Sequence, residues 1–291
     1  EVHDGMRGVA GAWDRSVRTL RDARGLGLAT RVDTRVSRHG LDALEPLVEL
    51  LGGLGVSLWS VSLAVPAGRA RPRDFATPGE LEAAFNRLYE LTRAAPFEME
   101  SATAPQFRRV VLQRRVSERR LAEGGRRAAP LVPGSGFAVD GEDGTGWAGD
   151  GRGSLFVGHT GEIRPSRGLP LSAGNVRTHD LVDAYRGSEP FRALRDPDRL
   201  RGKCGACEFR SVCGGSRGRA HAMTGDPLES DPFCAYVPGP WRKRVARGEA
   251  EEPDAYFARR IPGWRPGGGV DPGPRLVALR RSPGAGGTGG A

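Results

Sequence analysis

Every cysteine of this chain falls within one short stretch: Cys204, Cys207, Cys213 and Cys234, in the spacing C-x2-C-x5-C-x20-C, with no other among 291 residues. Four thiolates make one complete metal site. Three readings compete. Disulfides belong to oxidising compartments and small secreted domains, whereas this chain is long enough to build a core without staples and opens on no apolar signal segment. A structural zinc takes four tetrahedral ligands, commonly from two tight C-x2-4-C knuckles, and only Cys204 and Cys207 form one here. An iron-sulfur cluster is wider than a single ion and accepts a loosely spaced loop plus one distant cysteine. The spacing places the cluster ahead of zinc and both ahead of disulfides.

The residues between the cysteines carry a resemblance. Cys213-Gly-Gly-Ser-Arg-Gly-Arg-Ala-His-Ala-Met-Thr-Gly-Asp-Pro-Leu, ending at Asp231-Pro232-Phe233-Cys234, resembles the SPASM segment of radical S-adenosylmethionine enzymes, nearest to the haem-maturation-like subgroup. The resemblance implies that Cys204, Cys207, Cys213 and Cys234 ligate an auxiliary 4Fe-4S cluster. Two positions depart from the family pattern. Ser216 stands where tetrapyrrole-modifying relatives commonly have a fourth cysteine in CGGC, and Gly161-Glu-Ile-Arg-Pro165 is followed by Ser166 where two-cluster relatives have a cysteine. One auxiliary cluster is therefore implied, not two.

At the other end, Val2-His3-Asp4-Gly5-Met6-Arg7-Gly8 resembles the H-D-x-x-R-G that follows the fourth barrel strand in the same enzymes. The C-x3-C-x2-C loop that would precede it is not in the sequence. The chain is thus expected to be the later part of a longer enzyme, with a second 4Fe-4S cluster and S-adenosylmethionine belonging to the whole and the fragment inactive alone. Arg7 is the candidate for the S-adenosylmethionine carboxylate, since a guanidinium grips carboxylate bidentately; the plainer alternative is that it caps a loop.

Between these ends the pattern alternates. Trp13, Val17 and Leu20 predict a helix stopped by Gly25 and Gly27; Leu28 to Val36 predicts a strand; Leu41 to Leu51 a helix; Val56 to Leu63 a strand. Thr77-Pro78-Gly79-Glu80 reads as a capping box opening a helix to about Ala95, followed by a strand over Phe97 to Ser101 and a helix over Gln106 to Arg115. Strands alternating with long helices predict a parallel sheet. With the resemblance, the expected fold is α/β: the C-terminal half of a partial (β/α)6 TIM-like barrel at 1–115, a linker at 116–152, a small SPASM/twitch-type α+β iron-sulfur domain at 153–238, and a disordered Gly/Pro/Arg-rich tail at 239–291. Within the small domain, Ser154 to Val157 and Glu162 to Arg164 predict a hairpin, and Asp180 to Arg186 and Phe191 to Arg195 predict helices.

The formal charge of +9 does not imply nucleic acid. Of 44 basic residues only Lys203 and Lys243 are lysine, and the arginines are interleaved with 35 acids, with short runs such as Arg108-Arg109 and Arg114-Arg115 expected on solvated faces. No run reaches the apolar length of a membrane span. A reducing, cytoplasmic setting is expected, without nucleic acid or membrane as partner.

A cluster held by four thiolates has no open coordination site, so it would act as electron carrier or staple. The resemblance implies the reaction: a 5'-deoxyadenosyl radical abstracts hydrogen from a peptide or tetrapyrrole-like substrate, the auxiliary cluster accepts the electron, and ferredoxin or flavodoxin supplies reducing equivalents. Gly205, Gly214 and Gly215 would let amides approach the sulfurs. Arg210, Arg217 and Arg219 either offset the cluster's charge or pair with Glu208, Asp226 or Glu229. His3, His39, His159, His179 and His221 show no metal spacing. The alternative is a non-catalytic zinc or iron-sulfur binding module serving as partner or scaffold.

Overall fold

The computed structural model describes residues 2–63, 75–101, 104–122 and 149–270. They belong to two compact units, one within 1–64 and 79–147, the other within 65–78 and 148–291.

The first unit runs α1 (Val2–Arg7), α2 (Ala12–Gly25), β1 (Arg31–Val36), a 3-10 turn (Arg38–Ala43), α3 (Leu44–Gly53), β2 (Leu58–Leu63), α4 (Pro78–Ala94), β3 (Glu98–Glu100) and α5 (Pro105–Ala122). The strands form a sheet in the order β1-β2-β3, and both pairs are parallel, as the alternation of strand and helix requires. β1 shows the period of two: Val36 is buried and Val32 and Thr34 half-buried, while Arg31, Asp33 and Arg35 are exposed. The central strand β2 is instead buried at Trp59, Ser60, Val61 and Leu63, the near-continuous burial of a strand covered on both faces. Trp59 is fully buried, and its indole nitrogen donates to Thr34 Oγ1 at 2.9 Å, which satisfies the one polar atom that burial would orphan.

Two helix boundaries and one surface expectation differ from the sequence pattern. The helix expected from Leu41 begins as a 3-10 turn and becomes α-helical only at Leu44, which puts Pro46 in the first turn, where its missing N–H costs nothing. The helix expected to end at Arg115 runs on to Ala122. Its last turns are anchored on α4, where Tyr89 Oη and Arg93 Nη1 both donate to Glu118 at 3.0 Å, so 116–122 is helix and not the opening of a linker. Most of that expected linker, 123–148, lies outside the described residues. Arg108 and Arg109 are not on a solvated face: both are buried, and Arg109 pairs with Glu82 on α4.

The second unit runs β4 (Phe156–Val157), β5 (Ile163–Arg164), α6 (Leu181–Gly187), α7 (Glu189–Arg195), a 3-10 turn (Pro197–Arg199), α8 (Gly202–Gly205), α9 (Arg217–Thr224), α10 (Gly239–Ala246), α11 (Pro253–Ala258), β6 (Trp264–Arg265) and β7 (Gly269–Val270). β4 and β5 are the expected antiparallel hairpin. Asp180 caps α6, its carboxylate accepting from the amides of Val182 and Asp183 at 2.8 and 2.9 Å. The tail expected to be disordered from 239 is ordered through 270. Trp241, Tyr256, Phe257 and Ile261 are buried there, and Trp241 and Phe257 both meet Tyr256 edge-on. The spread of four large side chains over twenty-one positions escaped a pattern search because the two helices are too short to repeat an apolar face. Residues 271–291 of that tail lie outside the described residues. Among the described residues no helix is long and apolar enough to cross a membrane.

Candidate functional site

Cys204 sits in α8 and is buried in a cluster with Leu169, Leu194, Leu200 and Leu228. The turn into it is left-handed at Gly202 (φ +53°), where a Cβ would collide with Tyr256 Oη and Ser230 Oγ. Ser230 closes that turn, accepting from the Cys204 amide at 3.2 Å and donating to the Arg201 carbonyl at 3.1 Å. From there a chain of tight turns presents successive amides to sulfur. The Phe209 amide donates to Cys207 Sγ, the Gly215 amide to Cys213 Sγ and the Asp231 amide to Cys204 Sγ, each at 3.4 Å. The Cys234 carbonyl accepts from Lys203 Nζ at 2.9 Å, which ties the last cysteine back to α8.

All four cysteines are free thiols, Cys204 buried and the others half-buried. Burial pushes the Cys207 thiol up to about 12, and the charges of Cys204, Glu208 and Cys234 act in the same direction against the single opposing amide of Phe209. Cys204 and Cys234 therefore each lie within electrostatic reach of Cys207. A thiol held that high stays protonated at neutral pH until a cation displaces its proton. Among the described residues no group of three or more His, Cys, Asp or Glu side chains is arranged to hold a metal ion. This holds for the four cysteines as well as the histidines; burial holds the His221 imidazole below its ordinary value.

The loop's two ends are stapled by a buried ion pair. Asp231 and Arg219 are 0% and 1% exposed, and Asp231 Oδ2 accepts from Arg219 Nη2 and the Ser216 amide, both at 2.8 Å. Burial alone would raise the Asp231 carboxyl. The Arg219 charge and hydrogen bonds, with the amides of Ser216 and Phe233, outweigh it and hold the group below its ordinary value. Ser216, the residue that departs from CGGC, is the N-cap of α9: its hydroxyl accepts from the Arg219 amide at 3.3 Å.

The structure separates three arginines that the sequence treats alike. Arg210 is an exposed partner of Asp198, and Arg219 binds Asp231. Arg217 is 6% exposed; it donates to the carbonyls of Pro227, Glu229 and Gly215 at 2.9, 2.7 and 3.2 Å, and its Nη2 lies 3.6 Å from Cys204 Sγ. None takes Glu208, Asp226 or Glu229 as its carboxylate partner; Tyr236, Arg201 and Arg260 do, Tyr256 also donating to Glu229. Asp231, Ser230 and Tyr256 belong to the site as well, though the sequence pattern offered no signal for them beyond the position of Asp231 near Cys234.

In the first unit, Asp4 accepts from the amides of Gly11 and Trp13 at 2.7 and 2.8 Å and so caps α2, which holds its carboxyl below the ordinary value. Arg7 stands exposed at the end of α1, with no hydrogen-bond or ion-pair partner among the described residues.

No family model matches the sequence. Curated relatives do. The chain is 33% identical over 239 residues to an AdoMet-dependent heme synthase of Methanosarcina barkeri, covering 82% of this chain and 65% of that one. It is 34% identical over 248 residues to an AdoMet-dependent heme synthase of Oleidesulfovibrio alaskensis, covering 84% and 60%. The fold resembles the crystal structure of Streptococcus suis SuiB bound to precursor peptide SuiA, with a TM-score of 0.52 at 15% identity over 79% of this chain and 49% of that one. These likenesses support a radical S-adenosylmethionine enzyme. The relatives point to the haem-maturation-like subgroup, and the chain spans 60–65% of the length of the two heme synthases it matches.

Proposed function

We propose that Cys204, Cys207, Cys213 and Cys234 hold an auxiliary 4Fe-4S cluster, and that the chain serves a radical S-adenosylmethionine oxidoreductase acting on a tetrapyrrole-like substrate. The observation that carries this reading is the set of three backbone amides directed at three of the four sulfurs, because such hydrogen bonds are the protein's means of stabilising and tuning a thiolate-bound cluster. The donor set is chemically right for iron and sulfide, with four free thiols and a guanidinium against one of them. When bound, a cluster with four thiolate ligands supplies one-electron transfer without an open coordination site.

The chain's own residues would then position and insulate. Leu169, Leu194, Leu200 and Leu228 keep water from Cys204. The Asp231–Arg219 pair fixes the spacing between the Cys213 and Cys234 ends of the loop. The expected cluster domain at 153–238 is extended by 239–270, whose Tyr256 and Phe257 pack under Ser230 and Lys203. The three parallel strands of the first unit fit the later half of a barrel, and Arg7, exposed and unpaired, is proposed to receive the carboxylate of S-adenosylmethionine. The heme synthases favour a tetrapyrrole; the fold shared with SuiB and a shorter likeness to PqqA peptide cyclases favour a peptide. Ferredoxin or flavodoxin is the electron donor that this chemistry calls for.

Anaerobic reconstitution with iron and sulfide tests the centre. We expect a coloured protein with about four iron atoms per chain, lost when any of the four cysteines is replaced by alanine. Zinc without iron would overturn it in favour of a non-catalytic zinc module. In an enzyme uniting this chain with a cofactor-cleaving cluster, Cys207→Ala should abolish substrate turnover while uncoupled cleavage of S-adenosylmethionine continues.

A further inference from the structure

Resting on the cluster assignment above, we infer that Arg217 is the cluster's dedicated counter-cation, a positioning residue that raises its reduction potential. A buried guanidinium normally finds a carboxylate, because an unpaired charge away from water is costly. Buried Arg109 has Glu82 and buried Arg219 has Asp231. Arg217 is as deeply placed, and among the described residues no carboxylate pairs with it. Three carbonyls brace it and the fourth contact is Cys204 Sγ.

The cation is therefore held by neutral groups and aimed at sulfur. Half-buried Arg152 lies near enough that burial, and then the charges of Arg217 and Arg195, push its guanidinium below its ordinary value against the opposing charge of Asp196. A second feature shows the space to be reserved. Gly215 is left-handed (φ +71°), and a Cβ there would lie 2.6 Å from Arg217 Nη2 and 3.0 Å from Cys204 Sγ. A side chain at that position would wedge apart the guanidinium and the sulfur. The fitting anion is one that forms on Cys204 itself. Reduction of a thiolate-bound cluster adds one electron to a group already negative, so a fixed cation beside one ligand sulfur favours the reduced form.

The experiment is a redox titration of anaerobically reconstituted protein, followed by electron paramagnetic resonance, for wild type, Arg217→Gln, Arg217→Lys and Arg210→Gln, with iron and sulfide measured in each. Arg217→Gln should retain iron and shift the midpoint to more negative potential. Arg217→Lys should stay near wild type, and Arg210→Gln, an exposed arginine paired with Asp198, should not shift. An unchanged or more positive midpoint in iron-loaded Arg217→Gln overturns the inference. If Arg217→Gln fails to fold or load, Arg217→Lys decides: iron content and potential near wild type support the charge role, while a matching failure assigns Arg217 to bracing the three carbonyls and overturns it. Wild-type protein that takes up no iron sinks the cluster assignment instead, a result visible before any variant is made.

Discussion

Asp231 is the residue on which the cysteine loop depends most. Replacing it by asparagine leaves Arg219 buried without its counter-charge, which for a broken buried pair costs about 3–5 kcal/mol. Thermal unfolding of Asp231→Asn should show that loss, together with a lower iron content. The pair also sets an acid limit. The folded state holds the Asp231 carboxyl below its ordinary value of 3.8, so the ionised group stabilises the fold fully at pH above that ordinary value, and the contribution is lost as pH falls through the folded value. Wild type should therefore lose stability in that acid window and Asp231→Asn should lose less. Gly215 offers a second measurement. Gly215→Ala and Gly225→Ala both place alanine on left-handed backbone, at about 1–2 kcal/mol, yet only Gly215 has heavy atoms within 4 Å of the added carbon. The excess cost of Gly215→Ala in denaturant unfolding measures how tightly Arg217, Asp231 and Cys204 close on that position, and equal costs would show that no space is reserved.

Among the elements, α11 carries a role that its composition hides. Phe257 is 1% exposed, and Lys203 Nζ lies 5.2 Å from its ring centroid while donating to the Cys234 carbonyl. Phe257→Ala should cost about 3–5 kcal/mol as a large buried ring lost from a core, and it should also lower iron retention by loosening Lys203. Circular dichroism on heating and iron analysis check the two effects separately. β2 illustrates the opposite case, an element legible from its residues. Its place in an alternation of strands with long helices predicts a parallel strand, and it pairs in parallel with both β1 and β3. α5 was half legible: its buried first turns follow from Phe107, Val110 and Val111, but the turns to Ala122 are charged and stand on Glu118 reaching α4, a contact with no sequence period.

For the molecule as a whole, many arginines pair locally with acids, and the formal charge of +9 is the excess that such pairs leave. Arg31 bridges Asp33 and Glu100, Arg38 meets Glu80, Arg87 meets Glu45 and Arg93 meets Glu118, so the arginine excess does not gather into one field. Because metal binding and folding are coupled, stripping iron from the reconstituted chain should destabilise the unit that holds the cysteines. Hydrogen exchange is the fitting probe: protection should fall across the described part of 149–270 and persist in β1, β2 and β3. Equal protection with and without iron would make the cluster a passenger in an already stable lobe.

The sequence by itself determined the parallel alternation of the first unit, the hairpin, the helix α6 and the identity of the four thiols. Each of these is written in local spacing: a period of two, a period near four, a capping residue, a cysteine interval. Only the tertiary structure decided which arginine faces a sulfur, that Asp231 staples the loop, that Ser216 caps α9 and that 239–270 folds under the cysteines. Those facts turn on which charges and rings meet across long sequence separations in the absence of water, and nothing in the local order of residues encodes that meeting.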